Sequence, residues 1–131
     1  MPMPDRERRQ EDRDVSLRKI GVFLSQGNNG LVASQVFDGI LTSISRHGAG
    51  IALAEIMADR THLVYGPMGS DDLRLNIVFP LLDQEPPLTL PVRPVWLQKI
   101  QDEELPPFRL GVEFLTPLPA TILQRLNRLP R

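Results

Sequence analysis

The sequence contains no cysteine among its 131 residues, which excludes disulfide bridges, thiolate metal ligands and cysteine nucleophiles together. It has only two histidines, His47 and His62, and neither belongs to a recognisable metal-ligand motif. A Walker loop, a G-x-S-x-G nucleophile motif and an H-E-x-x-H zinc motif are also absent from the sequence. We therefore predict no catalytic and no metal-binding residue, and we expect a protein that is not an enzyme and needs no cofactor.

An excess of charge of one sign and a long hydrophobic run are lacking as well. The 15 basic residues nearly balance the 16 acidic ones, so no overall field attracts nucleic acid, and aromatic residues make up only 5% of the chain. No segment approaches the run of about 18 apolar residues that a spanning helix requires, and the N-terminal residues contain no apolar signal segment. We expect a cytoplasmic protein without nucleic-acid partners or membrane insertion, in which any anion-binding site is local.

The hydrophobic content of 41% is enough for one domain with a core. Residues 1–14, in contrast, are almost all charged or polar and cannot bury apolar surface, so they predict a flexible tail ahead of a domain over residues 15–131. The tail has two interpretations. It is either a solubilising extension, or an arginine clamp, formed by Arg9 and Arg13, that becomes ordered on an anionic ligand.

The stretch 41–53 predicts two strands joined by a tight polar turn. Ser43 and Ser45 lie two residues apart, so a strand would place both hydroxyls on one face. Gly48 follows and allows the chain to turn at φ values that other residues resist. The residues of this stretch expected in the core are Leu41, Ile51 and Leu53. The turn is therefore a place where backbone and ligand could come close together.

The segments before this stretch are less clearly patterned. The apolar residues of segment 15–25 fit both a helical face and the alternation of a strand, and we favour a helix or an extended arm. Residues 27–30, with two glycines and two asparagines, predict a turn. Residues 31–37 and 40–44 then predict a hairpin, because the Asp38-Gly39 pair between apolar runs favours a tight turn.

After the central stretch, residues 54–72 predict loop with a short strand at most. Three further strands are indicated by apolar alternation or extended composition, over residues 73–79, 88–100 and 109–115. Pro91 and Pro94 cannot donate hydrogen bonds to a ladder, so we expect both at a sheet edge or a bulge.

The C-terminal residues predict a helix with Thr116 as its cap and Pro117 in its first turn. Its apolar stripe consists of Leu118, Ile122, Leu126 and Leu129. Such a stripe must pack against another apolar surface, and a sheet of short strands can avoid unpaired edges by closing into a barrel. We therefore predict a mostly β fold, a small antiparallel barrel with a C-terminal α-helix across one mouth.

Three pieces of the sequence resemble those of the PilZ domain family. The segment from Ser43 through Ser45 to Gly48 resembles the family motif D/N-x-S-x-x-G, with serine at the first position. Arg9 and Arg13 are similar to the R-x-x-x-R pair that precedes the barrel in that family. The C-terminal sequence over residues 92–97 and 108–115 is similar to its last two strands, so that the resemblance extends over residues 9–128.

The resemblance implies a barrel of about six strands and a ligand, cyclic di-GMP, a bacterial second messenger with two phosphates and two guanines. Arg9 and Arg13 would grip a phosphate or a guanine edge, with Arg18 as a possible substitute. The predicted ligand-binding residues are Arg9, Arg13, Ser43, Ser45 and Gly48. The implied function is a receptor or adaptor that couples ligand binding to a downstream protein partner. The alternative is a PilZ-like interaction module that no longer binds nucleotide, which the serine at position 43 would favour.

Overall fold

The computed structural model describes residues 18–80, 86–101 and 104–128, in which strands and two helices alternate with turns. In chain order the elements are β1 (Arg18–Gln26), β2 (Phe37–Ile44), β3 (Gly48–Leu53), β4 (Met57–Ala58), β5 (Thr61–His62), α1 (Tyr65–Gly69), β6 (Leu73–Phe79), β7 (Leu88–Lys99), β8 (Phe108–Phe114) and α2 (Ala120–Arg128). Six strands close into an antiparallel barrel in the order β1-β2-β3-β8-β7-β6. The predicted mostly β fold, a six-stranded barrel with a C-terminal helix, is confirmed.

The barrel interior is filled by the inward side chains of alternating positions, as strand geometry requires. On β8, for example, Leu110, Val112 and Phe114 are buried, as predicted. The central stretch behaves in the same way, because Leu41, Ile51 and Leu53 are all buried in the core. The other buried apolar residues of the six barrel strands are Ile20, Val22, Leu24, Phe37, Ala52, Leu75, Ile77, Phe79 and Val92.

Strand β1 corrects the prediction that segment 15–25 begins the domain as a helix or an extended arm. Its residues pair with β2 on one side and β6 on the other, so it is an integral strand of the barrel. Ile20, Val22 and Leu24 point inward and are buried. The barrel decided between the two apolar patterns that the sequence contains, because an extended strand paired on both sides directs these three alternating residues to one face, where the core buries them.

The hairpin predicted around Asp38-Gly39 is wrong, since both residues lie inside β2. Gly39 is paired with Leu53, and a Cβ at this glycine would lie 2.8 Å from the Leu53 Cδ2 atom. The glycine therefore makes room for a core leucine instead of forming a turn. The true connection from β1 to β2 starts with the predicted turn at residues 27–30, where Gly30 has a φ of 72°.

The two prolines of β7 occupy positions that are paired on one side only. The ladder between β7 and β8 begins at Val92, so Pro91 has no partner on β8. The ladder between β6 and β7 ends at Val92, so Pro94 has no partner on β6. A register shift follows directly, between Pro94 and Trp96. The expected bulge is confirmed. An edge strand is not needed, because a closed barrel still offers unpaired sides where ladders are staggered.

The region between β3 and β6 contains a two-residue hairpin, β4 with β5, and the short helix α1 where loop was predicted. The hairpin turn includes Asp59 at a positive φ of 59°. Neither helix in the described part of the chain is long and apolar enough to cross a membrane.

The C-terminal helix begins at Ala120, not beside the predicted cap Thr116. Leu118 explains the delay. Its backbone N–H donates to the Arg46 carbonyl at 2.8 Å, and its carbonyl accepts from the Arg46 Nε at 3.2 Å. These bonds hold the segment against the β2–β3 turn, so the helix can start only after it. Leu118 and Leu126 are buried in the core as the stripe predicted, whereas Leu129 lies outside the described residues.

Candidate functional site

The turn between β2 and β3 is closed by the hydroxyl of Ser45. Its Oγ accepts from the Gly48 backbone N–H at 3.3 Å and from the His47 N–H at 3.4 Å, while the Ser45 N–H donates to the Gly48 carbonyl at 2.9 Å. A serine at this position shapes the turn through local bonds from side chain to backbone. Sequence reasoning assigned Ser45 to ligand contact alone and missed this role.

Gly48 is needed for close approach and not for an unusual φ. Among the described glycines, a φ in the left-handed region occurs only at Gly30. A Cβ at Gly48 would instead collide with the Val112 carbonyl oxygen on the neighbouring strand β8. The expectation of a special turn conformation at Gly48 is therefore wrong, and the reason for glycine is the tight contact between β3 and β8.

The same turn is fastened to the C-terminal segment. Besides the two bonds between Arg46 and Leu118, the Phe114 N–H donates to the His47 carbonyl at 2.8 Å. Three hydrogen bonds therefore hold two turn residues against the end of β8 and the segment that follows it. The fold therefore positions the turn before any ligand binds, and this lowers the entropic cost of ordering the turn on binding.

A cleft of about 380 Å³ opens beside this turn, and we call it the corner cleft. It is lined by Ser43, Ile44, Ser45, Gly48, Ala49, Gly50, Val95, Trp96, Gly111 and Val112. The structure thus brings three of the sequence-predicted site residues together on one open surface. None of the lining residues carries a charge, so the corner cleft is electrically neutral by itself. The cations for an anionic ligand would have to come from elsewhere in the chain.

Four arginines are relevant to that need. Arg9 and Arg13 lie outside the described residues, and their assignment as ligand-binding residues stays a prediction. Arg18 is buried at the start of β1, opposite Leu41, and does not line the corner cleft. Arg46 is exposed, but its Nε is directed to the Leu118 carbonyl.

Trp96 is a cleft residue that sequence reasoning did not select. The register shift in β7 breaks the alternation of the strand, so that Val95 and Trp96, although consecutive, are both about half exposed and both line the corner cleft. The available signal was the pair of prolines just before them, which predicted a bulge. Because a bulge re-aims the side chains that follow it, those side chains were candidates.

The sequence model of the PilZ domain family matches residues 7–129 of this chain. No curated protein matches the sequence. Among solved structures, the fold is similar to that of the PlzA protein of Borreliella burgdorferi, crystallised in complex with c-di-GMP, with a TM-score of 0.53 and 13% sequence identity. The similarity covers 90% of this chain and 46% of PlzA, so this chain spans about half the length of that protein.

At this level of identity the similarity to PlzA concerns the fold alone. The family match extends over nearly the whole sequence, and it agrees with the closed six-stranded barrel and with the serine- and glycine-containing turn between β2 and β3. On these findings, the chain belongs to the PilZ domain family.

Proposed function

We propose that this protein is a receptor for cyclic di-GMP that couples ligand binding to a downstream protein partner. Membership of the PilZ family supports the proposal, as does the likeness of its fold to PlzA, which was crystallised with this ligand. The observation that carries it is the corner cleft, where Ser43, Ser45 and Gly48 lie together on one open surface. Because this ligand is an intracellular messenger of bacteria, we extend the proposal to a cytoplasmic location.

The chemistry divides between the tail and the cleft. The ligand carries two negative phosphates, and a neutral cleft cannot balance them, so the proposal assigns that role to Arg9 and Arg13. A guanidinium binds a phosphate, or the O6/N7 edge of guanine, through two parallel hydrogen bonds. Each charge-assisted bond contributes about 1.5–3 kcal/mol. Ser43 and Ser45 would then hydrogen-bond a guanine edge or the ligand backbone, beside the close contact of β3 with β8 that Gly48 permits.

Ser43 is the weak point of this arrangement. A carboxylate or amide at that position accepts hydrogen bonds from guanine more strongly than one neutral hydroxyl does, and the difference is about 1 kcal/mol, or several-fold in affinity. In addition, the Ser45 hydroxyl already bonds to the backbone of its own turn. Both observations favour the second candidate function, a PilZ-like interaction module that does not bind nucleotide.

Calorimetric titration separates the two functions. We expect the full chain to bind cyclic di-GMP and not GTP, and we expect Arg9→Ala with Arg13→Ala to weaken binding by at least about 10-fold per arginine. The matched control is Arg6→Ala with Arg8→Ala, which removes the same charge from the same tail and should retain most of the affinity. The melting temperature should stay the same in both double variants.

One result would contradict the receptor proposal, and two others would contradict the assignment of the cationic site to Arg9 and Arg13. Wild-type protein that shows no heat of binding with cyclic di-GMP would favour the interaction module. Equal losses in the two double variants would mean that the tail acts by net charge and not through a specific pair. Unchanged affinity in the Arg9 and Arg13 variant would move the cationic site elsewhere, and Arg18 and Arg46 would be the next residues to replace.

A further inference from the structure

Four neighbouring side chains lie across the β4–β5 hairpin and α1. Met57 on β4 is the register partner of His62 on β5, and register partners direct their side chains to the same face. The His62 ring is stacked on the Tyr65 ring, with 4.3 Å between the ring centroids and 23° between the ring planes. Met68 follows Tyr65 by three residues, which places the two side chains next to each other on α1. We call these four residues the Met-Tyr strip.

The strip is not used to build the barrel core. Met57, Tyr65 and Met68 are each about half exposed, and every residue of α1 is exposed or half-buried. The core contacts of this segment are made instead by Leu63 and Val64, which are fully buried. Single exposed apolar residues are normal on a protein surface, but here three large ones lie together. Their exposure therefore has a reason other than the stability of the fold.

Hydrogen bonds fix the strip in place before any partner binds. The His62 Nδ1 accepts from the N–H groups of Val64 and Tyr65, both at 3.0 Å, and so satisfies two donors at the start of α1. The Met68 N–H donates to the Val64 carbonyl at 3.2 Å. A five-residue helix that contains two glycines and a proline has little intrinsic tendency to form, so these contacts determine its position. The Tyr65 ring is thereby pre-organised, which lowers the entropic cost of binding.

Exposed carboxylates border the strip. The charged residues of segment 54–72 are four acidic residues and one basic residue, Glu55, Asp59, Asp71 and Asp72 against Arg60. The first two acidic residues lie on either side of Met57 in the sequence, and the other two follow α1 after one residue. We call the four carboxylates the acidic rim. The segment is net negative, although the charges of the whole chain nearly balance.

We propose that the Met-Tyr strip is the docking surface for the downstream partner, and that the partner presents a basic amphipathic helix. Methionine and tyrosine are enriched at protein interfaces, and the flexible methionine side chain adapts to the apolar face of a helix. The acidic rim attracts lysine and arginine beside that face, and it repels acidic helices and anionic lipid surfaces. The inference rests on the proposed function for the existence of a partner, and it adds the surface and the chemistry of the partner.

A synthetic peptide serves as the probe. It consists of leucine and lysine over about five helical turns, with the leucines at helical spacing so that one face is apolar and the other basic. We expect the full chain to bind this peptide, labelled with fluorescein, in a fluorescence anisotropy titration. A leucine and glutamate peptide with the same spacing, and a scrambled leucine and lysine peptide without an apolar face, should bind at least about 10-fold more weakly.

Tyr65→Ala with Met68→Ala removes the two side chains of the strip that lie on α1 and leaves their backbone donors in place. We expect peptide binding to weaken by about 10- to 100-fold, the loss that follows truncation of two apolar anchors of an interface. The matched control is Leu31→Ala with Val32→Ala, which removes two still more exposed apolar side chains from a segment without charged residues. The control should bind the peptide like the wild type.

A third variant tests the acidic rim. Asp71→Asn with Asp72→Asn removes two of its charges, and we expect peptide binding to weaken by about 2- to 10-fold and to depend less on salt. The melting temperature of all three double variants should stay that of the wild type, because every changed residue is exposed.

Three results would refute the docking surface. The first is an equal loss of peptide binding in the control and in the Tyr65 and Met68 variant. The second is tight binding of the leucine and glutamate peptide, since the acidic rim would then have no role. The third is binding of the wild type to vesicles that contain phosphatidylglycerol, lost in the Tyr65 and Met68 variant, which would replace the partner helix by a membrane surface.

Calorimetry with cyclic di-GMP on the same samples separates this inference from the receptor function. If the wild type binds cyclic di-GMP but not the leucine and lysine peptide, the docking surface is refuted while the receptor stands. If the wild type binds the peptide through Tyr65 and Met68 but shows no heat of binding with cyclic di-GMP, the receptor function fails. The docking surface then stands as that of an interaction module.

Discussion

Leu118→Ala tests how the C-terminal segment holds the fold and the β2–β3 turn together. The Leu118 side chain is only 2% exposed and belongs to the barrel core, although it lies outside both the strands and the helix. Truncating a buried leucine to alanine lowers the free energy of unfolding by about 2–5 kcal/mol. The change leaves in place the Leu118 backbone N–H and carbonyl that bond to Arg46, so the measurement isolates the apolar contribution.

The matched control is Leu115→Ala, three residues earlier in the same segment, because Leu115 is 45% exposed. We expect it to change the free energy of unfolding by no more than about 0.5 kcal/mol. Urea unfolding followed by circular dichroism measures both variants, and the slope against urea should stay constant while the midpoint falls for Leu118→Ala. Equal midpoints for the two variants would refute the reasoning, since the segment would then be held by its hydrogen bonds alone.

Two further predictions concern the turn motif and a histidine. Ser43→Asp should raise cyclic di-GMP affinity several-fold in calorimetry, because a carboxylate accepts from two guanine donors; a loss of binding would mean that the new charge meets the phosphates and that the position faces a different part of the ligand. Burial lowers the pKa of His62 below its ordinary value of 6.5, and its Nδ1 accepts from the Val64 and Tyr65 N–H groups at 3.0 Å. The contribution of neutral His62 to the free energy of unfolding should therefore be fully present above pH 6.5. It should be lost as the pH falls through the lower folded-state pKa, because a protonated Nδ1 can no longer accept a hydrogen bond. Chemical denaturation across this pH range should show the decrease in the wild type and a smaller one in His62→Gln, and identical profiles would contradict the assignment.

The sequence by itself determined the parts of the fold whose pattern is local. Alternation over β6 and β8 requires only neighbouring residues, because side chains two apart lie on one face. It agrees with the buried apolar residues Leu75, Ile77 and Phe79 of β6 and Leu110, Val112 and Phe114 of β8, although Leu73 at the start of β6 is only half-buried. The polar turn within residues 41–53 could likewise be predicted from the sequence, since a short polar segment with glycine between two apolar runs is typical of a turn between strands. The order of these pieces was sufficient to indicate the family and the closed barrel.

Only the tertiary structure decided what depends on pairing between distant strands. Asp38 and Gly39 carry the local chemistry of a turn, yet they lie in β2, because Leu53 from β3 requires the space beside Gly39. Gly48 is present for the carbonyl of Val112, which is distant in sequence.

The same holds for the corner cleft. Trp96 reaches it because of the register shift in β7, and Ser43 and Trp96 line one cleft only once the four strands β2, β3, β8 and β7 have fixed their mutual register. Register is a property of the closed barrel and not of any one segment, since each strand fits its neighbours in several alignments until the core side chains select one. The neutrality of the cleft also depends on the tertiary structure, because the register determines which residues line the cleft.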